Sequence, residues 1–172
     1  SKRYELMYND YVIVGPIDDY SECSSIKSKF KSIYEQKKFF ISRGDDSGTH
    51  KKELEIWNSI NLLPKKNDDW YIEIGQGMGK TLLMTNEKKA YTISDRSTWI
   101  SFNKKENLKI LCENFPPLLN QYSIILVNQN LNSKLNINAA EKFIDWILSN
   151  EAKKIINNYK VKNQQLFFYN YN

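Results

Sequence analysis

The stretch that decides the fold is FFISRGDDSGTHKKELEIW, which runs from Phe39 to Trp57. It opens with a short apolar run, Phe39–Arg43, of the kind that forms a strand. Two glycines, Gly44 and Gly48, then interrupt the run, and a helical pattern follows small hydroxyl residues that cap helices well. The order of strand, glycine-containing loop and helix predicts one unit of an α/β fold.

The rest of the chain shows the same alternation. Within residues 47–62, Leu54, Trp57 and Ile60 form an apolar stripe with the helical period. Short β-branched or aromatic runs bounded by turn residues predict strands at Tyr11–Pro16, Phe39–Arg43, Trp70–Ile74, Ala90–Ser94, Leu108–Glu113 and Tyr122–Asn128. Strands that alternate with helices predict an α/β fold with a mainly parallel sheet.

Two amphipathic helices are predicted near the end of the sequence. The first has apolar residues at helical spacing over 139–148, after a cap at Asn136 or Asn138. Ser149 caps the second, which covers 152–159. Few predicted strands accompany these helices, so we expect their apolar faces to be poorly covered. The aromatic stretch 163–172 is expected to pack against the fold.

The loop after the strand at 39–43 has the chemistry of a small-anion site. A helix that begins near Ser47 or Thr49 presents unpaired backbone N–H groups at the positive end of its dipole. Arg43 adds a fixed charge with several donors. Donors with little steric bulk suit a small tetrahedral oxyanion. The alternative is purely local, with Asp46 or Ser47 capping the helix and Arg43 paired to Asp45.

Other kinds of site find weaker support. Asp46, His50 and Glu53 lie at i, i+4 and i+7 on one helix face, as metal ligands can. His50 is the only histidine, however, and a surface helix collects such neighbours by chance. No Gly-x-Ser-x-Gly elbow is present, and Asp68 and Asp69 lie beside lysines in a surface turn. We therefore predict no catalytic residue, no metal and no cofactor.

The stretch WYIEIGQGMGKTLLM, residues 70–84, resembles a P-loop without matching its spacing. A P-loop has four residues between its first glycine and the Gly-Lys-Ser/Thr, whereas three separate Gly75 from Gly79. The dinucleotide fingerprint also fails, because Lys80 occupies its third glycine position. The stretch predicts a strand, a tight turn and a helix N-terminus that can face an anion, but no nucleotide site.

Composition and charge exclude several classes of protein. The chain has 172 residues, of which 41% are hydrophobic and 26% charged, as expected for one folded domain or two small lobes. The formal net charge is +5, but the lysines are scattered among acids, which disfavours nucleic-acid binding. No membrane span or signal peptide is predicted. Cys23 and Cys112 permit one disulfide and require none.

Several segments occur together, in this order and near these spacings, in one known family. They are MYNDYVIVGPIDD, SRGDDSGTHKKELEIW, WYIEIGQGMGKTL, AYTISDRSTW, and NQYSIILVN followed by AAEKFIDWILSNEAKKII. From about residue 8 to residue 168, the chain closely resembles the periplasmic tungstate-binding proteins of bacterial ABC transporters. The long motif at 42–53 makes the resemblance specific.

The resemblance implies an α/β fold of the type II periplasmic-binding-protein class, with two lobes, two crossover strands and an oxyanion cleft between the lobes. The crossover strands fall on Tyr8–Gly15 and Tyr122–Asn128. Residues 16–120 are expected to form one complete lobe that carries the oxyanion motif. Residues 1–15 and 121–172 are expected to supply the crossovers and part of the second lobe.

The resemblance also implies a ligand site. Arg43 is the leading anion ligand, and hydroxyl or amide donors are expected from Ser42, Ser47, Gly48 and Thr49. A second tier is expected to line the cleft or to brace and close it: Gln76, Gly77, Met78, Asp95 and Arg96. No metal belongs to this site.

The function implied is that of an extracytoplasmic solute-binding protein, or the major fragment of one. It would capture tungstate, or in second place molybdate, for an ABC transporter permease in the periplasm or outside the cell. The Thr/Ser-rich motif that opens the family's first lobe has no counterpart here. The alternative is therefore a ligand-free interaction or scaffold module that self-associates through the incomplete lobe. For an oxyanion-handling enzyme, the sequence offers no nucleophile–base pair. No nucleic-acid partner is expected.

Overall fold

The structure is a computed structural model that describes residues 2–128, 130 and 134–172. The chain forms two compact units, one of residues 10–119 and one that combines 1–9 with 120–172. Positions 1, 129 and 131–133 of the predicted partial lobe lie outside the described residues. We call the two parts the 10–119 unit and the terminal unit, and each is described by itself.

Helices and strands alternate along the described chain. Their bounds are β1 (Arg3–Pro16), α1 (Ile26–Glu35), β2 (Phe40–Ser42), α2 (Gly48–Ser59), β3 (Tyr71–Glu73), α3 (Met78–Lys88), β4 (Thr92–Asp95), α4 (Arg96–Ser101), β5 (Leu108–Cys112), β6 (Leu119–Ile125), α5 (Ile137–Ile147), α6 (Asn150–Asn158), β7 (Lys160–Val161), β8 (Gln164–Gln165) and β9 (Phe168–Tyr169). Each predicted strand overlaps an observed one, and the α/β class is confirmed. Helix α1 was not predicted, although Ile26, Phe30 and Ile33 form its buried face.

Strand directions in the 10–119 unit are mixed. Strand β2 is parallel to β3, with Ser42 opposite Glu73, and a parallel bridge joins Phe40 of β2 to Tyr91 beside β4. Strand β1 is antiparallel to both β4 and β5. The prediction of a mainly parallel sheet was wrong for β1. Alternating strands and helices predict parallel pairing only for two strands that a single helix connects, as α2 connects β2 to β3.

Aromatic packing holds helices α1 and α2 against strands β2 and β3. The Trp57 ring lies 4.4 Å from that of Phe30 and 5.4 Å from that of Phe40, both edge to face. These three side chains are completely buried. Edge-to-face pairs add about 0.5–1.5 kcal/mol beyond the area they bury. The aromatic cluster therefore sets the position of α2, the helix that follows the Arg43 loop.

A disulfide links the segment before α1 to the end of β5. The Cα atoms of Cys23 and Cys112 lie 5.5 Å apart, and Cys112 is buried in the main core cluster. The sequence left this bond open, because two cysteines 89 residues apart carry no pairing signal. The bond forms because the tertiary structure places the end of β5 beside the loop that precedes α1.

The terminal unit buries much less apolar surface. Residues Met7 and Tyr8 of β1 pair with Tyr169 and Phe168 of β9, so the aromatic end of the sequence packs as expected. Asn136 and Ser149 cap α5 and α6, as predicted. Several large apolar side chains of this unit are exposed, as the shortage of strands predicted: Phe143, Trp146, Ile155 and Tyr159. Among the described residues, no helix combines the length and apolarity needed to cross a bilayer.

The disulfide supports a first prediction. Replacing both Cys23 and Cys112 by serine is expected to lower the free energy of unfolding by about 2–4 kcal/mol, because the bond restricts the unfolded chain over a long loop. Denaturant titration under oxidising conditions measures the loss. Reductant should destabilise the wild type by a similar amount and leave the double variant unchanged. Equal stability of the two oxidised proteins would contradict the prediction.

Candidate functional site

Parallel strands bring the predicted site residues to one edge of the sheet. Strands β2 and β3 end side by side, and the Ile74 N–H donates to the Ser42 carbonyl at 3.1 Å. On its other side β2 contacts the start of β4, through a hydrogen bond from the Ile41 N–H to the Tyr91 carbonyl. In open α/β sheets, ligands bind outside the carboxyl ends of the strands. The segments that follow β2, β3 and β4 all begin at this edge.

The Arg43 loop, residues 43–47, begins with a turn that only glycine fits. Gly44 has a φ of +57°, and a Cβ placed on it would lie 2.8 Å from Cβ of Glu73. The Gly44 N–H donates to the Ser42 hydroxyl oxygen at 3.2 Å. The turn therefore depends on the missing side chain at Gly44 and on the oxygen of Ser42.

Asp45 orients the Arg43 side chain. Nε and Nη2 of Arg43 contact the same Asp45 oxygen at 3.0 and 2.5 Å, and the other Asp45 oxygen accepts the Ser47 N–H at 3.2 Å. Burial raises the pKa of Asp45, but hydrogen bonds from Ser47 and Arg43 outweigh it and hold that pKa below its usual range. The local pairing that the sequence left open is thus present. It engages one edge of the guanidinium and does not involve Nη1.

The start of helix α2 supplies the remaining donors. Ser47 is the N-cap: its hydroxyl oxygen accepts the His50 N–H at 3.3 Å, and its side chain also contributes a hydrogen bond that lowers the pKa of Asp45. The N–H groups of Gly48 and Thr49 lie in the first turn, where no helical carbonyl precedes them. Gly48 is exposed, whereas Thr49 is buried. Four predicted ligand residues, Arg43, Ser47, Gly48 and Thr49, therefore meet at one loop–helix junction.

Ser42 lies in a different setting, because its hydroxyl is bound to a buried carboxyl. Ser42 is completely buried and donates to Glu53 Oε2 at 2.8 Å. Glu53 Oε1 accepts from the Tyr71 hydroxyl at 2.7 Å and from Trp57 Nε1 at 3.2 Å. Burial raises the pKa of Glu53 to about 7, although these donors oppose the shift. Burial, with this carboxyl nearby, also raises the pKa of Tyr71 well above its usual value.

Sequence reasoning placed Glu53 only in a metal hypothesis and missed this network. The side chains of that hypothesis do not share one site. Asp46 is exposed, and His50 Nδ1 accepts a hydrogen bond from the backbone N–H of Asp46 at 3.1 Å. His50 Nε2 is buried, finds no hydrogen-bond partner in the described chain, and lies 4.0 Å from a Glu73 oxygen. In the part of the chain that the structure describes, no group of three or more His, Cys, Asp or Glu residues is arranged to hold a metal.

The turn between β3 and α3 exposes backbone rather than ligand side chains. Gln76 is exposed and accepts a hydrogen bond from Lys80 at 2.9 Å. Gly77 is the N-cap of α3 and provides no side-chain cap. Met78 is buried in the second apolar cluster, which includes Leu82 and Trp99. The exposed Gln76 side chain and the exposed backbone of Gly77 are thus the groups of this turn that can face an anion, and their place in the second tier stays a prediction.

Asp95 and Arg96 have structural partners within the 10–119 unit. Asp95 caps α4 and accepts the Thr98 N–H at 2.8 Å. Arg96 binds Asp10 through Nε at 2.8 Å and through Nη2, and Nη1 contacts Glu113 at 2.8 Å. Hydrogen bonding to Asp10 raises the pKa of Arg96 further above its already high value. These contacts join β1 to α4 and to the residue after β5, and the expected bracing role of Asp95 and Arg96 at the cleft stays a prediction.

The Gly44 turn supports a second prediction. Gly44→Ala is expected to lower the free energy of unfolding by about 1–2 kcal/mol, because its φ is positive and its Cβ would meet Glu73. Gly79→Ala is the matched control, since Gly79 lies in α3 and a Cβ placed on it would have nothing within 4 Å. That control should be neutral or stabilising by up to about 1 kcal/mol. Equal effects in denaturant titrations would refute the role assigned to the turn.

Glu53 supports a third prediction, on pH. Its folded pKa of about 7 lies above the ordinary 4.5, so the folded state binds this proton more tightly than the unfolded state. The associated stability is complete below about pH 4.5 and is lost as the pH rises through about 7. Glu53→Gln should remove this slope from denaturant titrations over that range. The exposed Glu55, on the same helix, provides the control Glu55→Gln, which should keep it. An unchanged slope in Glu53→Gln would disprove the assignment.

Comparison with known proteins identifies the family. Residues 1–151 match the family model described as the PBP superfamily domain. The chain is 43% identical over 163 residues to the tungstate-binding protein TupA of Peptoclostridium acidaminophilum, over 92% of this chain and 56% of that relative. It spans between 51% and 63% of the length of the curated relatives it matches.

Two solved structures agree with this match. The tungstate-binding protein TupA from Desulfovibrio alaskensis G20 superimposes with a TM-score of 0.88 at 37% identity, covering 99% of this chain and 71% of that one. The tungstate ABC transporter structure from Geobacter sulfurreducens gives a TM-score of 0.76 at 41% identity, covering 92% and 68%. The resemblance drawn from the sequence segments is thus confirmed, and the chain belongs to the PBP superfamily, in the same family as these tungstate-binding proteins.

Proposed function

We propose that this chain is an extracytoplasmic solute-binding protein, or the major part of one, that captures tungstate and in second place molybdate. The observation that carries the proposal is the junction of the Arg43 loop with helix α2. It gathers a guanidinium, a serine hydroxyl and first-turn amides at the carboxyl edge of a sheet, in a chain similar to proteins named for binding tungstate. Residues 16–120 would be the complete lobe and the rest the partial one.

Capture at this junction requires no chemical step. The amides of Gly48 and Thr49, and the hydroxyl of Ser47 once it turns from Asp45, replace the hydration of the anion. The dipole of α2 favours its negative charge. Arg43 contributes Nη1, while Asp45 fixes the orientation of its guanidinium. Ser42 acts through the turn, because it donates its hydroxyl proton to Glu53. Neutral donors around a fixed charge suit a fully ionised oxyanion.

The partners and the compartment follow from the same proposal. An ABC transporter permease would receive the oxyanion, as the structure of the Geobacter relative is described as a tungstate ABC transporter. The Cys23–Cys112 disulfide supports a location in the periplasm or outside the cell, because disulfides persist in oxidising compartments.

A fourth prediction tests the ligand. In calorimetric titrations, the wild type is expected to bind tungstate and molybdate and to discriminate against sulfate. Arg43→Ala should weaken tungstate binding at least about tenfold, because hydrogen bonds to charged groups contribute about 1.5–3 kcal/mol. Lys51→Ala is the control: it removes one positive charge from the exposed side of the same helix, where Lys51 contacts Asp46, and should bind normally.

Thermal or denaturant unfolding gives a second measure of the same binding. Tungstate at a hundredfold excess over its dissociation constant should stabilise the wild type by about 2.7 kcal/mol. The absence of both binding heat and stabilisation at high tungstate would overturn the proposal for this chain. Equal losses in Arg43→Ala and Lys51→Ala would instead show that net charge, not the junction, governs binding.

A second candidate is a ligand-free interaction module that self-associates. The exposed Phe143, Trp146, Ile155 and Tyr159 of the terminal unit favour it, because large exposed apolar side chains often mark interaction surfaces. The two candidates separate experimentally. A module of this kind would show concentration-dependent association in sedimentation and no tungstate binding.

A further inference from the structure

The buried carboxyl of Glu53 is unusual because of the elements that it joins. Its hydrogen-bond donors come from three places: Ser42 at the end of β2, Tyr71 in β3, and Trp57 one helical turn later in α2. Only 1% of Glu53 is exposed. A buried carboxyl needs such partners, since burying one without hydrogen bonds strongly destabilises the folded state.

The Ser42 hydroxyl transmits this arrangement to the Arg43 loop. A hydroxyl has one proton to donate, and Ser42 gives it to Glu53 Oε2 at 2.8 Å. The Ser42 oxygen is then directed to accept the Gly44 N–H at 3.2 Å. Arg43 lies between these two residues, so the turn that presents it is linked to Glu53 through consecutive hydrogen bonds.

We propose that Glu53 is the positioning residue of the Arg43 loop, and that its charge opposes that of the bound oxyanion, so that oxyanion capture is coupled to uptake of a proton by Glu53. The proposal rests on the proposed function, because it concerns oxyanion binding at the Arg43 junction. Glu53 does not touch the oxyanion. It acts through Ser42 and through the field of a charge buried in a medium of low dielectric constant.

The surroundings of Glu53 leave it free to change charge. From β3, Tyr71 donates to it and Glu73 adds a second negative charge that raises its pKa. Strand β2 carries no titratable side chain. On α2 itself, His50 faces Glu73 rather than Glu53. No cation is among the main causes that set the pKa of Glu53, and that pKa of about 7 lies where a nearby anion can shift its protonation.

Two further charged groups on neighbouring elements, Lys29 and Asp95, have partners of their own. Lys29, the buried lysine of α1, contacts Asp19 at 3.6 Å and donates to Ser21. Asp95, at the end of β4, receives hydrogen bonds from Ser97 and Thr98. Glu53 is therefore the group with a pKa near 7 that is hydrogen-bonded to Ser42, the residue before the Arg43 loop.

The coupling has a definite sign. Protonating Glu53 removes a negative charge that repels the oxyanion, so affinity should rise as the pH falls. By reciprocity, the bound oxyanion raises the affinity of Glu53 for its proton by the same factor. We expect tungstate affinity to increase about fivefold or more between about pH 8 and about pH 6. The slope cannot exceed one proton per oxyanion, which is about tenfold per pH unit.

The test is tungstate affinity as a function of pH for four proteins. The wild type should show the pH dependence, and Glu53→Gln, which keeps the size of the side chain without the charge, should lose it. Tyr71→Phe removes a donor that favours the ionised carboxylate, so the midpoint of its profile should move to higher pH. The exposed Glu55, paired with Lys52, provides the control Glu55→Gln, which should match the wild type.

The outcomes are distinct. Wild-type binding with equal pH dependence in Glu53→Gln, or an unshifted midpoint in Tyr71→Phe, would overturn the coupling and leave the proposed function intact. Failure of the wild type to bind tungstate at any pH would overturn the proposed function, and the coupling with it. Because the midpoint shift of Tyr71→Phe is measured on a protein that retains Glu53, it tests the coupling even if Glu53→Gln folds poorly.

Discussion

The hydrogen bonds around Glu53 hold together the strands and the helix that flank the Arg43 loop. A carboxyl buried this completely is tolerated only where donors surround it, and here Ser42, Trp57 and Tyr71 supply them. Satisfying this one group fixes β2, β3 and α2 relative to one another. The aromatic cluster around Trp57 packs the same elements from the apolar side. Polar and apolar constraints thus agree on the place where the Arg43 loop begins.

Charges near this edge are already paired, and the pairing determines what is left for a ligand. Asp45 holds one edge of Arg43, whereas Asp10 and Glu113 occupy Arg96 from two sides. Arg43 is therefore oriented in advance but only partly neutralised, and under the proposed function an anion would meet first-turn amides that need little rearrangement. Such preorganisation reduces the entropic cost of binding. It also explains why two arginines of similar appearance in the sequence have different roles in the fold.

The two units differ in how well each is stabilised by its own residues. The 10–119 unit has an aromatic core, a second apolar cluster and a disulfide. The terminal unit leaves Phe143 and Trp146 of α5, and Ile155 of α6, substantially exposed. The chain spans 56% of the length of the Peptoclostridium relative, so the comparison concerns part of that protein. The Arg43 junction lies wholly within the better-packed unit.

By itself, the sequence determined the α/β class, the approximate positions of the strands, the cap at Ser149 and the loop–helix junction at Arg43, because periodicity and capping are local properties. It left the cap of α5 open between Asn136 and Asn138, and the structure shows Asn136. Only the tertiary structure decided the antiparallel course of β1, the Cys23–Cys112 bond and the pairing of Arg96, since each joins residues far apart in the chain. The predicted stripe on α2 was also displaced: Glu53 and Ile56 are buried, whereas Leu54 is only partly buried. The burial of a glutamate on this helix could not be predicted from the local sequence, because its donors Ser42 and Tyr71 lie on strands β2 and β3.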